Sequence, residues 1–287
     1  MLLNLALALL AAIAPTAKLD PGIQPFGAVQ AKGALWVTVA GEGKLLKLDP
    51  ATNKVLARVK VGISPYSVAS GGGSLWVGNA GWSTVSRVNP ISRKVVKTIT
   101  VGNRPYDVAF GGGSLWVSNL LSATVSRIDP KRNKVVKTIK AGTEPNGLVY
   151  AFGAVWVGDR LGNKLLKIDP ATNRVVGSLP LHAPDWVTAD ESALWVSEEE
   201  GSIAKVDPAT LTLSARVAVG KNPLHTALVG GSLWVPNIDD STISIVDRST
   251  NAVTTFAGPA GAIAVATTPG AVWVSGDSQL WRFAPSG

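Results

Sequence analysis

The chain has 287 residues, a formal net charge of +8, 46% hydrophobic residues and no cysteine. The absence of cysteine excludes disulfides, thiolate metal sites, cysteine nucleophiles and a lipid-modified N-terminal cysteine. The length suits one large domain or two ordinary ones. Charge is unevenly spread: residues 18–140 carry 18 Lys/Arg and 5 Asp/Glu, whereas residues 141–287 carry 9 and 14.

Leu2 to Ala14 is apolar except for Asn4. Thirteen such residues are too few for a membrane span, which needs about twenty. They suit the apolar core of a secretory signal, although no Lys or Arg precedes them. Residues 1–14 therefore read as a signal peptide, with cleavage between residues 12 and 17. Ala12-Ile13-Ala14 has the small-x-small pattern, and a cut after Ala17 is the alternative. The expected compartment is periplasmic or extracellular.

From residue 15 onward one phrase repeats. Leu-Trp-Val or Val-Trp-Val is centred on Trp36, Trp76, Trp116, Trp156, Trp195, Trp234 and Trp273, spaced 40, 40, 40, 39, 39 and 39 residues apart. Each unit holds short runs rich in Val, Ile, Thr and Trp between turn residues, which is strand patterning. In the second unit these runs begin at Pro65, Ser74, Thr84 and Lys94. Gly111-Gly112-Gly113 supplies positive φ for a hairpin. Asp49-Pro50-Ala51-Thr52-Asn53 and Asp169-Pro170-Ala171-Thr172-Asn173 read as turns whose carboxylates cap nearby backbone. Seven strand-rich units of about forty residues predict an all-β, seven-bladed β-propeller with four-stranded antiparallel blades over residues 15–287. A packing element would recur in every blade, so each tryptophan reads as buried between blades.

The last unit lacks an outer strand, because Pro285 falls where its Asp-Pro turn should start. Residues 15–20 precede the first blade and can supply that strand, closing the ring and covering a bare edge.

Function should lie where the blades differ. Proline stands eleven residues before six of the tryptophans, and the residue after it reads Phe26, Tyr66, Tyr106, Asn146, Asp185 and Leu224. Trp186 and His225 follow one residue later. Phe26, Tyr66, Tyr106 and Trp186 are candidate stacking surfaces at a channel mouth, with Asn146, Asp185 and His225 as polar contacts. Three residues after the tryptophan stand Asn79, Asn119, Asp159, Glu198 and Asn237. Of these, Asp159 and Glu198 are candidate oxygen ligands for a cation, and otherwise the set reads as turn formers. Glu198, Glu199 and Glu200 read as a solvated acidic loop. His182 and His225 are the only histidines, and no Ser-His-Asp order, His-Glu-x-x-His motif or phosphate loop is present.

The full repeat, best seen from Val101 to Lys140 with Arg104-Pro105-Tyr106, Leu115-Trp116-Val117 and Ile128-Asp129-Pro130, resembles the bacterial YVTN-type propellers. The Leu-Trp-Val form with its preceding proline is also similar to the virginiamycin B lyase-like (streptogramin lyase-like) propellers. That resemblance implies Mg-assisted elimination on a cyclic depsipeptide, by histidine and glutamate at the channel mouth. The Glu-x-His pair of that family is absent here, leaving His225 as the candidate base.

Three functions follow as expectations. The first is a non-catalytic module, requiring no cofactor and expected to be monomeric, that binds a small molecule, peptide or protein at the channel mouth. The second is a Mg-dependent lyase or lactonase using His225. The third is a scaffold docking partners, or an anionic surface, through its basic side. No aromatic-interleaved nucleic-acid motif is present.

Overall fold

The Leu-Trp-Val strands are buried at every residue but Ser232, as in Ser74–Asn79, Ser114–Asn119 and Ala154–Asp159. A strand apolar on both faces needs cover on both, and neighbouring blades provide it. The computed structural model describes residues 13–285, which form seven four-stranded antiparallel sheets arranged as a propeller. The expected signal segment lies largely outside the described residues, and among these no helix is long and apolar enough to cross a membrane.

Each of the first six blades runs from its inner to its outer strand in chain order. Blade three comprises Pro105–Gly111, Ser114–Asn119, Thr124–Asp129 and Lys134–Lys140. Gly112 and Gly113 of its first hairpin have φ of 56° and 71°, the region a two-residue primed turn requires. Blade seven takes its outer strand from the opposite end of the chain: Ala17–Leu19 pairs with Leu280–Phe283. Thr16 N–H donates to the Arg282 carbonyl at 2.7 Å, and Lys18 Nζ lies 3.9 Å from the Trp281 ring centroid. The ring is closed by pairing rather than by covalent continuity, so blade seven has no bare edge.

All seven repeat tryptophans are at most 1% exposed. In the first four blades the indole N–H donates to the carbonyl five residues earlier, as from Trp116 to Gly111 at 3.2 Å. The cross-strand partner on the third strand is a cation in six blades, and it covers the ring. Arg127 lies 4.9 Å from the Trp116 centroid. Its Nη1 reaches the next blade, donating to the Pro170 carbonyl at 2.7 Å and Asn173 Oδ1 at 2.9 Å. Arg87 makes the same bonds to Pro130 and Asn133. The Asp-Pro turns are thus receptors for the preceding blade as well as hairpin closures.

Blade six departs from this pattern. Ile245 stands opposite Trp234, whose ring packs edge-on against Phe256 and Phe283. The inner strand is shortened to Ala227–Val229. The segment before it bonds blade seven, with His225 N–H donating to the Ile263 carbonyl and Val265 N–H to the His225 carbonyl.

The basic excess lies on outer edges. Lys94, Lys97, Lys134, Lys137 and Lys140 are exposed on the outer strands of blades two and three. Charge there discourages edge-to-edge pairing.

Candidate functional site at the channel mouth

In blades one to five the proline that opens the inner strand pairs with the residue three after the repeat tryptophan, and the ladder then slips. Register shifts follow Pro25, Pro65, Pro105, Pro145 and Pro184. A bulge leaves its extra residue outside the ladder and re-aims it. The residue set free is Phe26, Tyr66, Tyr106, Asn146 or Asp185. Hydroxyls two residues after the tryptophans latch this position on the following blade. Thr38 Oγ1 donates to the Tyr66 carbonyl at 2.9 Å, Ser197 Oγ to Leu224 at 3.0 Å and Ser275 Oγ to Phe26 at 2.8 Å.

The freed side chains converge on the axis. Phe26 and Tyr66 stack at 4.8 Å with planes 9° apart, and Tyr106 meets them edge-on at 6.5 and 6.0 Å. Opposite them Asn146 and Asp185 are 2% and 5% exposed. Tyr106, Asn146 and Asp185 line a mouth cavity of about 360 Å³, which Leu120, Leu121 and Leu224 complete on the apolar side. Phe26 and Tyr66 do not line it.

Trp186 and His225 belong to a lower level. Their rings are 3.8 Å apart, and Trp186 lies 6.5 Å from Tyr106. They line a second cavity of about 240 Å³, further along the channel, shared with Asp107, Thr188 and Thr226. The seven residues singled out in the sequence thus divide between an aromatic cluster, a polar cavity and the channel below.

Burial shifts the titration of several groups here, three of which bear on the site's chemistry. Burial pushes the Asp185 carboxyl up to about 6, against a smaller lowering by the Asn146 amide and the Arg160 charge. Burial raises Asp107 to about 7, although Val108 N–H and Leu148 N–H donate to its two oxygens at 2.7 and 2.9 Å. His225 is held down to about 3 by burial, and its Nδ1 has no partner among the described residues. The imidazole is therefore neutral at ordinary pH.

The carboxylates after the tryptophans serve internal bonds. Asp159 Oδ1 accepts from Thr143 N–H and Glu144 N–H, both at 2.8 Å. Glu198 is fully buried and forks onto Arg216 at 2.6 and 3.0 Å, also accepting from His182 N–H and Ser202 Oγ. Asn79, Asn119 and Asn237 hold the matching place by donating to a Thr and a Ser on the third strand. The reading of residues 198–200 as a solvated loop is corrected by the structure. Glu199 also pairs, accepting from Arg160 Nη2 at 2.6 Å, and only Glu200 is largely exposed. Their partners Arg216 and Arg160 lie 18 and 39 residues away, beyond the reach of a local pattern. Asp107, which ties blade three to blade four, is the other residue that sequence reasoning passed over. Its signal was a lone acid where blades one, two and four carry Gly27, Ser67 and Gly147.

No protein-family model matches the chain, and no curated protein matches it. Solved structures do. A chain of Kuenenia stuttgartiensis hydrazine synthase aligns with a TM-score of 0.75 at 17% identity, covering 93% of this chain and 97% of that one. A streptogramin B lyase aligns at 0.81 and 15% identity, with 91% and 93% covered. A chain of a mitotic checkpoint complex aligns at 0.82 and 16%, with 94% and 91% covered. All three share the propeller fold with this chain. They are a hydrazine synthase, a streptogramin B lyase and a chain of a mitotic checkpoint complex, so the fold alone selects no function.

Proposed function

We propose that this protein is an exported, monomeric propeller that binds a ligand in the mouth cavity and performs no chemistry on it. One observation carries the reading. Asn146 and Asp185 line that cavity, and the Oδ1 of each is buried with no partner among the described residues. Polar atoms buried without partners are destabilising, by about 1–3 kcal/mol each. A ligand that satisfies them recovers that free energy on binding. The lyase alternative requires His225 to act as a base, and a desolvated imidazole held near 3 is poorly matched to that task. Export is supported by the apolar leader. Cleavage before Pro15 suits the fold better than cleavage after Ala17, because Thr16 and Ala17 both engage the strand of Arg282.

The test is a thermal-shift screen of small polar molecules on the wild type and on Leu224→Trp, which fills the cavity. Stabilising hits should vanish in the variant. Hits indifferent to it would overturn the reading, as would turnover of cyclic lactones abolished by His225→Ala.

A second reading has its own observation. Ile63, Trp82, Leu121 and Leu161 are each at least half exposed, on the loops around the mouth of blades one to four. Clustered apolar side chains on one face suit a protein partner. A partner bound there should be lost with the pair Trp82→Ser and Leu161→Ser, neither of which lines the cavity, whereas cavity ligands should be retained.

A further inference from the structure

We propose that the ligand of the mouth cavity is a small organic ammonium, seated between Asp185, Asn146 and the Tyr106 ring. This rests on the reading of that cavity as a ligand site. The cavity offers surplus acceptors. Among the buried side-chain atoms of its lining residues, the two without a partner among the described residues are both oxygens, and none is a nitrogen. The Asn146 amide holds the Asp185 carboxyl lower as a nearby donor, and its own oxygen has no donor among the described residues. A ligand completing this set must therefore donate.

The charge balance also favours a cation. Arg160 lines the cavity, but its guanidinium is committed: Nε and Nη2 donate to Glu199 at 3.1 and 2.6 Å, and Nη1 to Glu144 at 3.1 Å. Arg104 lies on the exposed rim. Asp185 is left as a buried carboxylate with no ion pair among the described residues. Tyr106 adds an aromatic face, and a cation over such a face is attracted.

The apolar wall of Leu120, Leu121 and Leu224 argues for a hydrocarbon substituent on the charged group. A bare Ca²⁺ would demand six to eight oxygens, and two side-chain oxygens beside leucines are a poor match. The rise of Asp185 to about 6 adds a consequence: an ammonium ligand favours the ionised carboxylate, so binding should weaken below that pH.

The experiment is calorimetric titration of 2-phenylethylammonium and of neutral 2-phenylethanol into the wild type, Asp185→Asn and Leu224→Trp. The ammonium should bind the wild type at least about tenfold tighter than the alcohol, the size of a charge-assisted bond. Asp185→Asn should abolish that preference, and Leu224→Trp should abolish both. Should Asp185→Asn fail to fold, Tyr106→Leu supplies the test, weakening the ammonium more than the alcohol. Equal binding of the two probes, both blocked by Leu224→Trp, would overturn the ligand class and leave the cavity reading intact. Binding of neither probe, or binding unaffected by Leu224→Trp, would overturn both. Displacement of the ammonium by calcium chloride, dependent on Asp185, would overturn the organic ligand in favour of a metal ion.

Discussion

The two halves of the channel mouth are built on one frame and hold opposite chemistry. In blades one to three the bulged residue is Phe26, Tyr66 or Tyr106, and these rings satisfy one another. In blades four and five it is Asn146 or Asp185, which leave an oxygen each unsatisfied. The prolines, the bulges and the buried tryptophans are common to both. The aromatic half is packing complete in itself, and the polar half is packing that lacks a component. That asymmetry locates the site more sharply than any single residue does.

The largest effect should come from breaking what the halves share. Trp116→Ala removes a fully buried indole together with the ring that Arg127 covers. Large aromatic truncations in cores cost about 3–5 kcal/mol, read as a fall in Tm. An unchanged Tm would mean that the repeat tryptophan does not set the blade spacing.

Next in size is the tie behind the polar half. Glu198→Ala strands Arg216, which retains 35% exposure. Solvent therefore softens the penalty for a broken buried pair, to about 2 kcal/mol. The wild-type protein dialysed against EDTA should keep its Tm, since both Glu198 oxygens and Asp159 Oδ1 are spent on internal donors. A Tm lowered by EDTA and restored by Mg²⁺ would return them to the role of cation ligands.

The polar half should also show a pH dependence of its own. Asp185 sits near 6 in the folded chain against an ordinary 3.8. Between those values the folded chain keeps a proton that the unfolded chain has lost. Stability therefore falls as pH rises from about 4 to about 6, then levels. Asp185→Asn removes that slope. Relative to the wild type it should gain nothing near pH 4 and up to about 2–3 kcal/mol above pH 6. Asp107 pulls in the same direction up to about 7, and His225 pulls oppositely as pH falls from 6.5 towards about 3. Both remain in the variant; His225 cancels in the comparison, and Asp107 cancels except for the small part of its rise that the Asp185 charge contributes. A difference independent of pH would show that Asp185 is not desolvated.

The frame was legible in the sequence because packing repeats. Counting from each tryptophan found the strands, the closure of blade seven by residues 15–20, and the position where blades diverge. The division of the divergent residues between two levels was not legible. It depends on a bulge that frees the residue after proline but keeps its neighbour in the channel, so Trp186 and His225 sit below Asp185 rather than beside it. Glu199 and Asp107 were hidden for another reason: each bonds across blades, to Arg160 and to Leu148, and such pairs carry no local signature.

The smallest effect discriminates most finely between the halves. Phe26→Leu forfeits the stacking on Tyr66, worth about 0.5–1.5 kcal/mol. Yet Phe26 does not line the mouth cavity, so affinity for a cavity ligand should stay within about twofold, far below the loss expected from Asp185→Asn. Tm and affinity should thus move independently: Phe26→Leu lowers the first and spares the second, and Asp185→Asn does the reverse at neutral pH. If Phe26→Leu weakened binding as much as Asp185→Asn, the aromatic cluster would be part of the site. The ligand would then have to span the whole mouth, reaching from the stacked rings to the unsatisfied oxygens.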